Sequence, residues 1–259
     1  MELTLYQIDA FANKVFQGNP AAVCPLDNWL EDNIMQAIAQ ENNLSETAFF
    51  VSNDNGFDLR WFTPTMEINF CGHATLAAAY VLFECLSYPL SEIKFNTRVG
   101  EFIVSKEEKN FKMDFPLLEL EPYTIDEDLI NILGLVPQEA MIGTDIVILL
   151  ASEHEVVDYS PNFELLKTLP GQGVCITAPG VNYDFVSRFF VPKAGINEDP
   201  VTGSTHCALA PYWCKKLNKK HLSARQLSTR GGNVLCQVNN SRVTLRGQAV
   251  KYMQGTIYI

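Results

Sequence analysis

Arg60-Trp61-Phe62-Thr63-Pro64, followed by Gly72-His73-Ala74-Thr75-Leu76-Ala77-Ala78-Ala79, has a counterpart much later in the chain. Arg188-Phe189-Phe190-Val191-Pro192 parallels the first block and Gly203-Ser204-Thr205-His206-Cys207-Ala208-Leu209-Ala210 the second, with a three-residue insertion between them. In each copy a strand-like apolar run leads into a proline-bearing loop, and a glycine then opens a helix. Ala74–Leu86 is apolar nearly all round, and Thr205–Leu217 nearly so, with Pro211 placed to kink it. A helix apolar on every side has to be enclosed, here by sheet. The repeat therefore predicts an α+β protein of two related domains, each a curled sheet around one central helix; a single large mixed sheet is the other reading.

Outward from the repeat, strand patterns dominate. Leu3–Ala10, Thr47–Ser52, Asp58–Thr63, Ile93–Thr97, Gly100–Ser105 and Phe111–Phe115 precede the middle of the chain. Met141–Leu150, Gly173–Ala178, Phe185–Val191, Val234–Val238, Arg242–Arg246 and Lys251–Ile259 follow it, with Asn239-Asn240-Ser241 as a hairpin turn. Leu30–Glu41 has apolar positions at helical spacing, and Ile125–Leu133 is a short helix for Gly134 to cap. The boundary is expected near Pro116–Pro122, where Leu117–Glu121 reads as a strand leading into a linker. This gives domains 1–116 and 117–246, with 247–259 completing the first.

Bulk properties narrow the function. Hydrophobic residues make up 47% of the 259 and charged residues 19%, which suits a core-rich globular protein. A net charge of -11 with no long basic run argues against nucleic acid as a partner. An anionic ligand would have to be caught by local groups against the overall field. Ala74–Phe83, the longest apolar stretch, is too short to span a bilayer, so no membrane partner is expected. The first residues alternate like a strand and lack a basic leader region, and seven cysteines without a CxxC pair suit a reducing cytoplasm.

The two glycine turns come first among chemical candidates. Each opens a helix whose first N–H groups lack internal partners, and such ends attract anions such as a carboxylate. Glu46, in Asn43-Leu44-Ser45-Glu46-Thr47-Ala48-Phe49-Phe50, stands at the mouth of an apolar strand, where desolvation favours a protonatable carboxyl group. Glu198-Asp199 precede the second turn, where neighbouring charge and the helix end act in opposite directions. Phe70-Cys71-Gly72-His73 brings a thiol and an imidazole to the first turn, Cys71 as base, nucleophile or buried structural thiol, His73 as general acid or orienting donor. Cys71-x-His73 and His206-Cys207 fit no zinc spacing, so no metal is expected.

Taken together, several stretches resemble the PhzF-like (phenazine-biosynthesis-like) family. They are Asp9-Ala10-Phe11, Gly18-Asn19-Pro20-Ala21-Ala22-Val23, Asn43 to Phe49, Arg60 to Pro64, Cys71-Gly72-His73-Ala74-Thr75, Glu198-Asp199-Pro200-Val201-Thr202-Gly203-Ser204 and Arg230-Gly231-Gly232. The resemblance runs the length of the chain. It implies the diaminopimelate-epimerase-like fold, two pseudo-twofold-related domains, each a mostly antiparallel β-barrel around a helix, with the active site in the interdomain cleft. It implies a homodimer, no cofactor, and an isomerase that moves a proton within a small carboxylated substrate. Glu46 matches the family's proton-shuttling glutamate, and His73 and Asp199 match residues that assist it. Asn19, Ser45, Gly72, Gly203 and Ser204 match positions that hold substrate.

Two rivals remain. A two-base racemase or epimerase would use two thiols, yet the position equivalent to Cys71 is Thr202. A non-catalytic homologue that binds a small molecule or a protein is the other. A Cys71-dependent hydrolase lacks a base-orienting acid in the local sequence.

Overall fold

Every residue from Gly72 to Ala79 is buried, and the sheet that buries them organises the first half of the chain. The structure, a computed structural model, describes residues 1–259. The chain divides between Asp114 and Phe115 and again between Leu245 and Arg246, so the last strand belongs with the first unit.

In that unit β1 (Glu2–Ala10) pairs antiparallel with β2 (Asn19–Leu26), which follows a loop. Helix α1 (Asp32–Asn42) then leads to β3 (Glu46–Asn53), laid parallel to β2, and β4 (Gly56–Phe62) returns antiparallel to β3. The two-residue strand β5 (Glu67–Ile68) precedes α2 (Gly72–Tyr80). After α2 come β6 (Glu92–Thr97), parallel to β4, then β7 (Gly100–Glu107) and β8 (Asn110–Pro116) as antiparallel neighbours. Its alanines keep α2 slim enough for β1, β2 and β3 to close around it. On the outer face of the sheet α1 covers Leu5, Ala22, Phe49 and Phe62 with Met35, Ile38 and Ala39. Each large side chain buried there contributes about 1.5–3 kcal/mol.

The second unit runs β9 (Glu121–Pro122), α3 (Glu127–Leu133), β10 (Glu139–Ile142), β11 (Ile146–Leu149), α4 (Glu153–Asp158), α5 (Phe163–Leu166), β12 (Val174–Pro179) and β13 (Phe185–Phe190). Then come β14 (Glu198–Asp199), α6 (Gly203–Leu217), β15 (His221–Gln226), β16 (Gly232–Asn239) and β17 (Arg242–Gly247). Strand β18 (Ala249–Tyr258) then pairs antiparallel with β1.

The pairing scheme repeats. β1–β2, β3–β4 and β6–β7 are antiparallel while β2–β3 and β4–β6 are parallel. Their counterparts β10–β11, β12–β13 and β15–β16 are antiparallel, and β11–β12 and β13–β15 parallel. The register carries the repeat to single residues: Phe62 opposes Glu67 as Phe190 opposes Glu198. Arg60 grips Glu67 through Nε and Nη2 at 2.7 and 2.8 Å, and Arg188 grips Glu198 the same way at 2.8 and 3.0 Å. Each guanidinium also lies over the second aromatic of its block, Arg60 at 5.2 Å from the Phe62 ring and Arg188 at 4.8 Å from Phe190. The arginine of each block is therefore a structural clamp that ties a short strand to a long one.

Some expectations are corrected. Met141–Leu150 is not one strand but the hairpin β10–β11, broken at Gly143-Thr144-Asp145. Leu117–Leu120 is not strand, pairing being confined to Glu121 and Pro122. The first enclosed helix is α-helical only to Tyr80 and widens to a π turn over Val81–Cys85. Helices α4 and α5 were not anticipated, being too short to show a period; Ser152 and Asn162 cap them by accepting backbone N–H bonds. No helix is long and apolar enough to cross a membrane.

Candidate active site

Glu46 owes its position to the end of α1. Asn43 takes the left-handed conformation, φ 48°, and its N–H bonds Ala39 O, stopping the helix. Leu44 and Ser45 then feed β3, whose first residue is Glu46, opposite Ala21 of β2. The next four residues of β3 are buried, so the carboxylate stands where an apolar strand begins.

His73 is the second residue of α2 and is buried. Cys71 precedes the helix in extended conformation without capping it through its side chain. Thr75 ties the turn, its Oγ1 donating to Cys71 O at 2.6 Å. His73 Nε2 lies 3.0 Å from Glu46 Oε2, yet neither atom has a hydrogen-bond partner, because the contact is close without being aligned. The result is a close carboxylate–imidazole pair, His73 buried and Glu46 half-buried, of the residue types that general acid–base chemistry uses.

Electrostatics separates the pair from its thiol. Burial works against a charged His73, but Cys71 and Glu46 outweigh it and push the imidazole well above its ordinary range. Burial pushes the Cys71 thiol up to about 11, with Glu46 adding to the effect and His73 opposing it. At neutral pH Cys71 is therefore a thiol, so the charge that favours a proton on His73 is the Glu46 carboxylate. A protonated, buried thiol is a poor nucleophile and a poor base, which weighs against both the two-thiol racemase and the cysteine hydrolase.

Glu46, Cys71 and His73 offer ligand atoms within 4.8 Å of one another. The imidazole, however, turns Nδ1 to Cys71 Sγ, 3.4 Å away, and Nε2 to Glu46. The two ring nitrogens thus face different neighbours, Nδ1 the thiol and Nε2 the carboxylate.

Asn19 and Ser45, expected to hold substrate, are found against the pair. Asn19 Nδ2 is 3.2 Å from His73 Nδ1, and Ser45 Oγ donates to Asn19 Oδ1 at 3.4 Å. Gly72 opens α2 as expected.

In the second unit Asp199, Gly203 and Ser204 surround one turn. Thr202 Oγ1 donates to Asp199 Oδ2 in a short bond. Gln226, fully buried, braces the turn: its Oε1 accepts Thr202 N at 2.9 Å while its Nε2 donates to Asp199 O at 2.7 Å. Ser228 adds a bond from Oγ to Pro200 O at 2.8 Å. His206 Nδ1 donates to Thr202 O at 2.8 Å, and burial depresses this imidazole to about 4 despite that bond. Glu198 is occupied by Arg188, so the two adjacent acids have separate duties and only Asp199 lies in the turn. His206 was weighed from sequence only beside Cys207 for a metal, and Gln226 was not singled out; nothing local marks a glutamine at a strand end as the brace of a distant turn.

A sheet-rich chain of repeated units, each with a buried helix, has an epimerase-like fold, here with a carboxylate–imidazole pair beside one helix start. The chain belongs to the phenazine biosynthesis-like (PhzF) protein family, whose family profile matches residues 8–255. An uncharacterized isomerase of Pseudomonas aeruginosa is 49% identical over 259 residues, covering all of both chains. A crystal structure of a PhzF-family protein from Enterococcus faecalis superposes with a TM-score of 0.98 at 46% identity, again covering both chains completely. A hydroxyproline epimerase from Agrobacterium vitis shares the fold, with a TM-score of 0.65 over 99% of this chain and 92% of that one, at 8% identity.

Proposed function

We propose that the protein is an isomerase that moves a proton within a small carboxylated substrate by general acid–base catalysis, without a cofactor. The observation that carries this reading is the buried pair of Glu46 Oε2 and His73 Nε2, 3.0 Å apart and both without a hydrogen-bond partner. Glu46 takes a proton from carbon and returns it to another atom of the same molecule; His73 assists by holding or donating a proton beside it. The first N–H groups of α2 suit a carboxylate and the negative charge that develops as the carbon–hydrogen bond breaks. Asp199 and Ser204, with the start of α6, complete the reading as assisting and substrate-holding groups. Relatives named isomerases support the reaction class. The same reading includes, from family resemblance, a homodimer working in the cytoplasm.

The test is hydrogen–deuterium exchange followed by NMR in D2O. Cyclohexadiene amino-carboxylates, aromatic amino acids and simple amino acids are each incubated with the wild type and with Glu46→Gln. Enzyme-dependent exchange at carbon should fall by about 10³-fold in the variant. Near-full exchange in Glu46→Gln would remove Glu46 from the mechanism. Binding across the panel without exchange would favour a non-catalytic homologue.

A further inference from the structure

Asn19 stands behind His73, on the side away from Glu46. It is fully buried, and its amide nitrogen is 3.2 Å from Nδ1. The Ser45 hydroxyl donates to Oδ1 at 3.4 Å, an arrangement that leaves the N–H2 end of the amide for the ring. Cys71 Sγ, 3.4 Å from the same Nδ1, carries its proton at neutral pH and can therefore act as a second, weaker donor to it. Two donors aimed at Nδ1 make that nitrogen an acceptor, and a neutral imidazole that accepts at one nitrogen carries its hydrogen on the other.

The chain goes to some lengths to deliver this amide. Between β1 and β2 the loop holds two bulky residues in the left-handed region, Phe11 at φ 58° and Phe16 at φ 71°. Asp9 Oδ2 accepts Phe16 N at 2.8 Å. Gly18, at φ +69°, then brings the strand so close to β1 that an added Cβ would lie 2.1 Å from Ala10 O. Asn19 is the next residue, in register with Ala10. Backbone strain of this kind persists where the surrounding structure over-determines it, often beside a working site.

We propose that Asn19 fixes the proton of His73 on Nε2, the nitrogen facing Glu46, and so acts as a positioning residue for proton transfer. The titratable groups facing His73 in this unit are Glu46 of β3 and Cys71 ahead of α2. Glu46 favours a doubly protonated ring. Asn19 opposes it, because a donor aimed at Nδ1 has no favourable contact with an N–H there. The start of α2 opposes it as well, since a helix N-terminus disfavours a cation. Whenever the ring is neutral, Asn19 thereby places its hydrogen at Nε2, beside the carboxylate able to accept it. The inference rests on the isomerase reading for its purpose, though the position of the proton can be measured without any substrate.

The experiment is ¹⁵N NMR of histidine-labelled protein, with His73 picked out among the four histidines by loss of its signals in His73→Asn. In the wild type the neutral His73 ring should be protonated at Nε2 and bare at Nδ1. Asn19→Asp puts an acceptor where the N–H was, so Nδ1 should become protonated at pH values where the wild-type ring is neutral. Asn19→Leu removes the donor and should raise the pH at which His73 titrates. Exchange at substrate carbon should fall by about tenfold to a hundredfold in Asn19→Asp, more in kcat than in KM. A wild-type neutral ring carrying its hydrogen on Nδ1 overturns the proposal, and so does a titration unmoved in both variants. If Asn19→Asp does not fold, the wild-type ring and Asn19→Leu decide alone. Ring signals that respond as expected in a protein that exchanges no substrate would retain the Asn19 assignment and sink the isomerase reading. Exchange activity with a ring indifferent to Asn19 would do the reverse.

Discussion

The two units share a pairing scheme and an arginine clamp, but only the first carries the acid–base pair. Register makes the comparison residue by residue. Because Phe62 opposes Thr47 and Phe190 opposes Val174, the position equivalent to Glu46 is Gly173. A side chain cannot be accommodated at Gly173, where a Cβ would lie 2.5 Å from Phe190 O and 2.6 Å from Val191 Cγ1. The helix starts differ in the same sense. His73 corresponds to Ser204 and Cys71 to Thr202 by sequence. Ile68, opposite Trp61, corresponds to Asp199, opposite Phe189. Even the cross-link that closes each first turn is repeated with different chemistry: Thr75 Oγ1 bonds Cys71 O, and His206 Nδ1 bonds Thr202 O. A duplicated scaffold thus holds one complete carboxylate–imidazole pair and one braced turn with a single carboxylate. That asymmetry suits a single shuttling group better than two equivalent bases on opposite faces of a carbon.

The largest expected effect tests that asymmetry. Glu46→Gln should cost about 10³-fold in exchange rate, while Asp199→Asn should cost at most about a hundredfold, because an assisting group is partly replaceable by water. Equal losses would mean that both units supply principal catalytic groups.

The clamps give the next effect. Arg188 also donates through Nη1 to the carbonyls of Val156, Val157 and Tyr159, so its removal orphans several groups along with Glu198. Removing Arg60 leaves Glu67 with Arg98, whose Nη1 is 2.8 Å from it. Arg188→Ala should therefore destabilise by about 3 kcal/mol and Arg60→Ala by about 2 kcal/mol or less, read from urea midpoints. The reverse order would show that the second clamp is not the more deeply integrated one.

The two buried histidines should respond to pH with opposite signs. His206 is depressed to about 4, so between there and its unfolded value near 6.5 the unfolded chain binds the extra proton. Its contribution to stability is full above about 6.5 and is lost as pH falls towards 4, amounting to roughly 3 kcal/mol. His206→Gln should flatten the acid side of the stability curve relative to wild type. His73 is raised, so its contribution is full below about 6.5 and is lost as pH rises through the folded value. His73→Asn should flatten the neutral-to-alkaline side instead. Identical pH responses for the two variants would contradict the environments described.

The smallest effect is expected at Cys71. With the thiol held up at about 11, Cys71→Ala should leave exchange activity within a few-fold of wild type. Abolished exchange in that variant would return the thiol mechanisms to consideration.

The fold was legible because its decisive features are local and periodic. Two enclosed helices, each introduced by an aromatic strand, a proline loop and a glycine, repeat in order, and burial on all sides of a helix leaves few architectures. Glu46, His73 and Asp199 were legible as candidates through resemblance, since each lies inside a recognisable run of neighbours. Less visible was the division of labour between Glu198 and Asp199, which depends on the β13–β14 register that hands one acid to Arg188 and leaves the other in the turn. Gln226 was invisible for the same reason, being brought to Thr202 only by the path of β15.

Sequence by itself determined the duplication, the enclosed helices and the residue types able to move a proton, because side-chain chemistry and hydrophobic periodicity are properties of the chain. Only the tertiary structure decided that Glu46 and His73 meet at 3.0 Å, that Cys71 keeps its proton, and that Asn19 stands behind the imidazole. Proton affinity and tautomer depend on burial and on partners distant in sequence, and those exist only once the strands have closed around the helix.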